Sequence, residues 1–455
     1  MNNSIQNNGF MKLKLLMVFV TSFSVMGLQA AVPIEQAKRL SGDLTPIGAI
    51  RKGNANGSIP DWSNKYSDKI SHSQWLRTIE KEKPLFVIDH LNIDDHRNSL
   101  SVGLQKLITL YPNSFNIPIY PSHRTAVYPK WLYENAYKNA LEAKISEDGE
   151  EVTFAWQGTP FPIPESAKEV MWNHQLRWKG LFFKLDTIES IVGRDGNYNI
   201  IQNMLEVYSV YHNKQRERKI DDWRYIYYLS YIKSPASIAG GAYLSHETMK
   251  PVKKPRQSWI YLAGQRRLRR SPVIGYDAPT FTSDGLRMMD EVDMFNGAMD
   301  RYDWELKGIK EMYIPYNNGV LQQALNNHSK LLLPHHINPK YTRYEKHRVW
   351  VVDAILKPGK KHIYNRRTFY IDEDTWGVIL SDIYDEHGKL WRVPQRYSVY
   401  YEKVPAIMTA LDSFSDLKKK NYYIQGVSID KIEHSMTPPI KGYFSPTNVR
   451  NRMHR

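Results

Sequence analysis

Two regions with different hydrophobic spacing follow one another along this chain of 455 residues. Residues 92–110 and 129–144 carry apolar side chains at helical spacing and each predict a helix. Residues 74–82 predict a shorter helix. Residues 41–66 are rich in Gly, Pro, Asn and Ser, which is typical of an irregular segment with several turns. The first third of the chain therefore predicts helices joined by irregular backbone.

From about residue 150 onward, β-branched and aromatic runs predict strands instead. The strongest run is 348–356, and turns such as Lys357-Pro358-Gly359 favour an antiparallel meander. Residues 317–340 are polar and predict a surface excursion. The fold class is therefore α+β, mainly β, with helices packed against one face of the sheet. The further strand candidates are 151–156, 224–232, 258–262, 266–270, 367–372, 376–384, 390–393 and 397–401.

The N-terminus has the charge and apolar order of a secretory signal peptide. Residues 1–34 contain no Asp or Glu, and Lys12 and Lys14 precede an apolar run over 15–28. The run is shorter than the roughly 20 apolar residues of a membrane span. We predict cleavage after Ala30 or one residue later and export to the periplasm; an uncleaved N-terminal anchor is the alternative.

These patterns divide the chain into three parts. Residues 1–30 are the predicted signal peptide, 31–150 an irregular and helical N-terminal extension, and 151–455 an antiparallel β domain. The sequence contains no cysteine, which excludes disulfides and thiolate nucleophiles. We expect a soluble product without a lipid anchor.

The formal net charge of +15 raises the question of an acidic partner. Nucleic acid is an unsuitable partner for an exported protein. Anionic lipid headgroups, lipopolysaccharide or the acidic mouth of a membrane protein fit better. A basic surface that only keeps the protein soluble is the alternative.

Enzyme and metal motifs are missing from this sequence, which contains no G-x-S-x-G, no P-loop and no H-E-x-x-H. His246-Glu247 lacks the second zinc histidine, and His335-His336 lacks a third ligand nearby. The acidic stretch 284–305 does not match the spacing of a calcium loop. Its oxygen donors are expected to cap turns and pair with nearby arginines. We therefore predict no catalytic residue, metal or cofactor.

The densest basic cluster surrounds Leu268. Its four arginines could bind phosphate or sulfate groups through bidentate hydrogen bonds, which makes them candidates for an anionic headgroup. The alternative is that they pair with the acidic stretch 284–305. The four are Arg266, Arg267, Arg269 and Arg270.

Long motifs carry a resemblance to a known family over nearly the whole mature chain. By these motifs the chain is identified as a member of a large proteobacterial family of unknown function, grouped with periplasmic outer-membrane lipoprotein-sorting proteins of the LolA type. The motifs are LTPIGAIRKGNANGSIPDW (44–62), YPSHRTA (120–126), PFPIP (160–164), MWNHQLRW (171–178), PRQSWIYLAGQRRLRRSP (255–272), SDGLRMMDEVDMFNGAMDRYDWELKGIKEMYIPYN (283–317) and RYEKHRVWVVDAILKPGKKHIYNRRTFYIDEDTW (343–376).

The resemblance implies an incomplete antiparallel β-barrel wrapped over helices, with an apolar concave cavity for acyl chains. It also implies partners, because such proteins are often encoded beside a resistance-nodulation-division type exporter and an outer-membrane protein. True lipoprotein carriers are about half this length, so the N-terminal extension has no counterpart and the cargo cannot be carried over.

The leading hypothesis is a non-enzymatic periplasmic carrier or chaperone for a lipid or other hydrophobic cargo. It would relay the cargo between the inner-membrane exporter and the outer membrane. An accessory transporter subunit without its own cargo and an envelope enzyme of unknown reaction are the alternatives. Residues that share a strand face in the late strands are the candidate cavity lining: Trp259, Tyr261, Trp350, Val352, Phe369 and Ile371.

Overall fold

The computed structural model describes residues 32–63, 72–215, 223–271 and 275–453. The predicted signal peptide, residues 1–30, lies outside them. Within the described ranges, no helix is both long enough and apolar enough to cross a membrane.

The helices are short, and side-chain caps begin two of them, at Ser101 and at Ser166. The predicted helix 92–110 is divided, because Ser101 accepts a hydrogen bond from the backbone N–H of Leu104 and begins a new helix there. In chain order the α-helices are α1 (Ile34–Ala37), α2 (His72–Ile79), α3 (Ile93–His96), α4 (Val102–Leu110), α5 (Lys130–Glu142), α6 (Ala167–Leu176), α7 (Gly319–Ala324), α8 (His328–Leu331) and α9 (Pro446–Met453).

Strands account for most of the chain after α6. They are β1 (Phe86–Ile88), β2 (Ile117–Ile119), β3 (Lys144–Ile145), β4 (Val152–Thr153), β5 (Phe182–Val192), β6 (Ile201–Tyr208), β7 (Arg224–Ser234), β8 (Ala242–Thr248), β9 (Gln257–Leu262), β10 (Arg267–Arg270), β11 (Tyr302–Pro315), β12 (Tyr344–Leu356), β13 (Arg366–Asp372), β14 (Val378–Tyr384), β15 (Leu390–Tyr401), β16 (Ala406–Asp416), β17 (Asn421–Val427) and β18 (Glu433–Ser435).

One large sheet organises the molecule. Its main path runs β11-β12-β13-β14-β15-β16-β17-β5-β6-β7-β8-β9-β10, and every neighbouring pair on that path is antiparallel. A single parallel bridge joins Tyr344 to Ile119. The two ends of the path, β10 and β11, do not pair with each other. The fold is therefore mainly β, with a large sheet that is not closed.

Both faces of this sheet are covered, whereas the sequence predicted helices on one. On β12, Val349 and Val351 belong to a core that contains α4, while Val352 and Ala354 belong to a core that contains α6. The alternation of a strand sends successive side chains to opposite faces. A strand with apolar residues at both parities therefore needs cover on both sides.

The face towards α6 is the inner face, because this helix is buried almost along its whole length. A capping box between Ser166 and Glu169 begins the helix. Residues 275–301, between β10 and β11, form a covering segment across the same face. Phe295 of this segment packs on Phe369 with ring centroids 5.6 Å apart. The inner face is thus enclosed by the helix and the covering segment.

Two local predictions were wrong. Residues 317–340 contain α7 and α8. Their buried side chains Leu321 and Leu331 belong to the core on the outer face of the sheet, the core that contains α4. Apolar residues at helical spacing were hidden there among polar ones. The predicted strand 151–156 is reduced to β4, which pairs with β3 outside the large sheet.

Candidate functional site

Two adjoining cavities lie on the inner face of the sheet. The large cavity has a volume of about 310 Å³. Strands β5 to β9 form its floor and the covering segment its roof. From the strands come Leu205, Tyr228, Ser230, Ile232, Tyr243, Ser245 and Ile260, and from the covering segment Thr280, Phe281, Thr282, Met289, Val292 and Asn296.

The small cavity has a volume of about 110 Å³ and lies towards the middle of the sheet. Its apolar wall includes Leu185, Val207 and Ile407. The two cavities have a common wall and lie side by side along the inner face. The shared lining residues are Thr187, Leu205, Tyr228, Val292 and Gln425.

Polar side chains of the large cavity mostly satisfy one another. Glu247 pairs with Arg256 at 2.8 Å and accepts a hydrogen bond from Ser245. Gln425 donates to Glu189 at 2.8 Å. An exception among the described residues is the buried Oδ1 of Asn203, which has no hydrogen-bond partner. The cavity is therefore an apolar space with a few fixed polar groups, as ligand pockets usually are.

A cluster of cations forms one end of the small cavity. Arg177 and Lys179 follow α6 in extended backbone and reach the carboxylate of Asp293, with the lysine Nζ 2.6 Å from Oδ2. Arg396 of β15 donates to the same carboxylate at 2.6 Å and to Asp412 at 2.7 Å. All five side chains line the cavity. We call Arg177, Lys179 and Arg396 the cationic cluster.

The electrostatics of this cluster follow from its burial. Burial raises the pKa of Asp293, but Arg177 and its two companions outweigh that effect and hold the pKa well below its ordinary value. Burial lowers the pKa of Lys179 to about 8, against the opposing influence of Asp293. Burial also lowers the pKa of His174, whose Nε2 hydrogen-bonds to the Asp293 carbonyl at 2.9 Å. The cluster thus holds closely spaced cations in a largely dry site.

The predicted lining residues occupy different places. Tyr261 lines the large cavity. Trp259 lies on the same strand and packs on His246, with ring centroids 4.9 Å apart. Val352 and Phe369 face each other across β12 and β13 in the inner core, which also contains Trp350 and Ile371. Neither of the two cavities is lined by Trp350, Val352, Phe369 or Ile371. Their contact with a ligand stays a prediction.

The arginine cluster of β10 lies at the edge of the sheet. Arg267 and Arg269 pair with Leu262 and Ile260, whereas Arg270 pairs with Trp259. Arg266 adopts a left-handed conformation, with φ of 50°, in the turn before β10. The side chains of all four are exposed. Within the described residues no ion pair joins them to the stretch 284–305, so headgroup binding stays a prediction.

The acidic stretch pairs with basic residues from distant elements rather than with nearby arginines. Asp290 binds Arg367 of β13 at 2.8 Å, and Asp300 binds Lys360 at 3.4 Å. His246 contacts the Phe444 carbonyl at 2.8 Å through Nε2, and so helps to hold the C-terminal segment.

A metal ion has one candidate position in the described part of the chain. His347, Asp372 and Asp374 each offer a ligand atom, and these atoms lie within 4.8 Å of one another. Arg124 binds both oxygens of Asp374 at 2.6 and 2.8 Å. Although burial opposes it, a hydrogen bond with Glu345 and nearby carboxylates raise the pKa of His347. The Arg124 guanidinium already supplies, beside Asp374, the positive charge that a metal ion would bring.

The cationic cluster was missed by reasoning from the sequence. The alternating bases Arg177 and Lys179 directly after α6 are a visible signal, and Asp293 lies in the acidic stretch 284–305. Arg396 had no such signal, because it joins the cluster through the pairing of the sheet.

The fold and its cavities define the class: a protein with a large open sheet and an apolar internal space on one face. A model of the family described as "Protein of unknown function (DUF1329)" matches residues 87–450, and the chain belongs to this family. An uncharacterised protein of Pseudomonas aeruginosa is 38% identical over 420 residues, which cover 91% of this chain and 92% of that protein. The family predicted from the motifs is confirmed.

The solved structures that match this chain share little sequence identity with it. A putative outer membrane lipoprotein-sorting protein domain from Vibrio parahaemolyticus has 12% identity and a TM-score of 0.43, covering 62% of this chain and 97% of its own. A DUF1329 family protein from Desulfovibrio piger has 15% identity and a TM-score of 0.41, covering 60% and 92%. A LolA superfamily protein from Nitrosomonas europaea has 10% identity and a TM-score of 0.37, covering 62% and 98%.

Proposed function

We propose that the protein is a non-enzymatic periplasmic carrier that binds a hydrophobic molecule in the large cavity. The observation that carries the proposal is the size and lining of that cavity. Its 310 Å³ lies within the roughly 300–1,000 Å³ of ligand pockets, whereas one water needs only about 10–15 Å³. Each CH₂ group moved from water into such a space contributes about 0.8 kcal/mol.

The adjoining positions of the two cavities also suit a chain-like cargo. Leu205 and Tyr228 belong to both linings, so an acyl chain in the large cavity would lie next to the small one. Relay between an inner-membrane exporter of the resistance-nodulation-division type and an outer-membrane protein is part of the proposal. The family resemblance supports that part, and co-purification from cross-linked cells tests it.

Binding itself is tested with a neutral apolar dye. We expect Nile red to bind the purified protein with saturable, stoichiometric fluorescence, and dodecanol to displace it. Ser230→Trp places a large side chain in the large cavity and should weaken dye binding roughly tenfold or more. Tyr231→Trp, one position along β7 and on the other face, is the matched control.

Mass spectrometry of organic extracts of the purified protein identifies the cargo class directly. Absence of dye binding in the wild-type protein, together with no co-purifying hydrophobic molecule, would contradict the carrier proposal.

A further inference from the structure

The wall of the small cavity carries an excess of positive charge. The cationic cluster contributes three positive charges, whereas the facing carboxylates of Asp293 and Asp412 contribute two negative ones. Within the described residues, the ion pairs of Arg177 and Lys179 both go to Asp293. The carboxylate of Asp293 therefore contacts three cations, so the positive charges of this buried site are not fully neutralised.

Another part of the same cavity's wall is apolar. It includes Leu185, Leu205 and Ile407, and Leu205 also lines the adjoining large cavity. A molecule with one anionic group and an acyl chain would complement the charged and the apolar part at once. A purely apolar cargo would leave the charge excess uncompensated, and a small inorganic anion would leave the apolar space unfilled.

Asp293 reaches the cationic cluster from the covering segment, in an unusual backbone conformation. Its φ and ψ are 60° and 30°, and Met294 after it has a φ of 70°. Non-glycine residues rarely adopt this left-handed region, because Cβ then lies close to the following carbonyl oxygen. The segment thus brings a carboxylate to the position where a ligand anion would bind, at a cost in backbone energy.

We propose that Arg177, Lys179 and Arg396 bind the anionic headgroup of an acyl-chain cargo, in competition with the Asp293 carboxylate. The inference rests on the proposed carrier function and specifies its cargo as an acidic amphiphile. Guanidinium groups bind phosphate and carboxylate oxygens through paired hydrogen bonds, so either headgroup fits this chemistry.

The first test uses the wild-type protein and ligands that share one chain length. Dodecyl phosphate, dodecanoate and dodecanol are each titrated against bound Nile red below their micelle concentrations, with inorganic phosphate as a fourth competitor. We expect the better anionic ligand to bind roughly tenfold more tightly than dodecanol. The ratio of dodecyl phosphate to dodecanoate then distinguishes the two headgroups. Inorganic phosphate should not displace the dye.

The second test changes the internal competitor. Asp293→Asn should raise the affinity for the preferred anionic ligand roughly tenfold and leave that for dodecanol within about twofold. Asp186→Asn makes the same change in net charge on β5, where Asp186 pairs with Lys233 at 2.9 Å outside both linings. It should change neither affinity. Lys179→Met should weaken anionic binding alone, and thermal midpoints report whether each variant folds.

The outcomes separate this inference from the carrier proposal. Equal affinity for dodecanol and both anions would overturn the headgroup site while the carrier proposal stands. No displacement by any ligand would overturn both. Displacement by inorganic phosphate at the concentration effective for dodecyl phosphate would show a site for the anion alone and contradict the acidic amphiphile. If Asp293→Asn fails to fold, the wild-type titration and Lys179→Met still decide the question.

Discussion

The two ends of the sheet bury their inner faces in different ways. At the packed end, strands β11 to β13, large side chains such as Trp304, Val352 and Phe369 fill the space beneath the covering segment, and Trp304 stacks on Phe369 at 5.8 Å. At the cavity end, strands β5 to β9, the inner face mixes small and polar residues such as Ser230 and Ser245 with larger ones.

The comparison shows where a binding space can form in such a sheet. Large apolar residues on facing strands pack against one another and leave little room. A cavity persists where small side chains alternate with larger ones under a segment that spans them. Apolar richness in a strand therefore indicates the core, whereas a mixed face beneath a cover indicates a site.

The largest expected effect separates the two ends by a buried charge. Val352→Asp places a carboxylate at a fully buried position of the packed end. We expect the free energy of unfolding to fall by about 4 kcal/mol or more, because the charge has no water or partner there. Chemical denaturation followed by circular dichroism measures the change. A loss below about 1 kcal/mol would show that this face is hydrated, contrary to the comparison.

Acid titration should affect the two ends with opposite sign. Burial lowers the pKa of His246, on β8, to about 4. Between about pH 6.5 and 4, His246 binds a proton in the unfolded chain but not in the folded protein. The free energy of unfolding should therefore fall by up to about 3 kcal/mol between pH 6.5 and 4 from this residue alone. His246→Gln should flatten the stability curve in this window, and the exposed His387→Gln is the control.

At the packed end the corresponding group is Asp372. Burial, followed by the charge of Asp374, raises its pKa to about 7. Between about pH 7 and 4 the folded protein binds a proton here that the unfolded chain does not, so this residue adds stability as the pH falls. Asp372→Asn should remove that gain. If His246→Gln and Asp372→Asn changed the dependence of the unfolding free energy on pH in the same direction, the predicted opposite effects of the two ends would be wrong.

A smaller effect on stability is expected at the cavity end. Leu205→Asp alters a partly exposed residue that lines both cavities. Because Leu205 itself keeps partial access to water, we expect a loss of about 1–2 kcal/mol but strongly weakened Nile red binding. Met204→Asp, the next residue on β6 with the opposite orientation, should leave dye binding unchanged. Normal dye binding by Leu205→Asp would place the ligand elsewhere.

The smallest effect on stability is expected at the sheet edge. Replacing both Arg267 and Arg269 with Glu changes exposed side chains and should alter the free energy of unfolding by less than about 0.5 kcal/mol. If these arginines engage anionic headgroups, binding to vesicles containing phosphatidylglycerol should weaken, most at low ionic strength. Unchanged vesicle binding at low salt would remove the headgroup role of this cluster.

Much of the fold was accessible from local pattern. The β-branched runs at 348–356 and 367–372 correspond to β12 and β13, and the Gly-containing turn between them gave the antiparallel pairing. The separate runs 390–393 and 397–401 are one strand, β15, because Pro394 lies within it without ending it. Strand β5 was missed, although Lys184 and Asp186 alternate with the buried Phe183 and Leu185 as in a half-buried strand.

The candidate site was accessible only in fragments. Tyr261 contributes to the lining of the large cavity, but its side chain lies on the face of β9 opposite to that of Ile260 and donates a hydrogen bond to the Met453 carbonyl at 3.5 Å. Trp350 and Ile371, predicted from the same kind of strand pattern, lie in the packed end. A strand pattern distinguishes its two faces, but it does not specify what covers each face or whether the cover leaves space.

The sequence by itself determined the family, the mainly β character and the antiparallel order of the late strands, because these depend on long motifs, residue type and short turns. The tertiary structure alone decided that Arg177, Lys179, Asp293 and Arg396, which span more than 200 positions of the chain, meet at one end of a cavity. The physical reason is that such a cluster depends on sheet register and on the path of the covering segment. Both arise from many long-range contacts rather than from any local pattern.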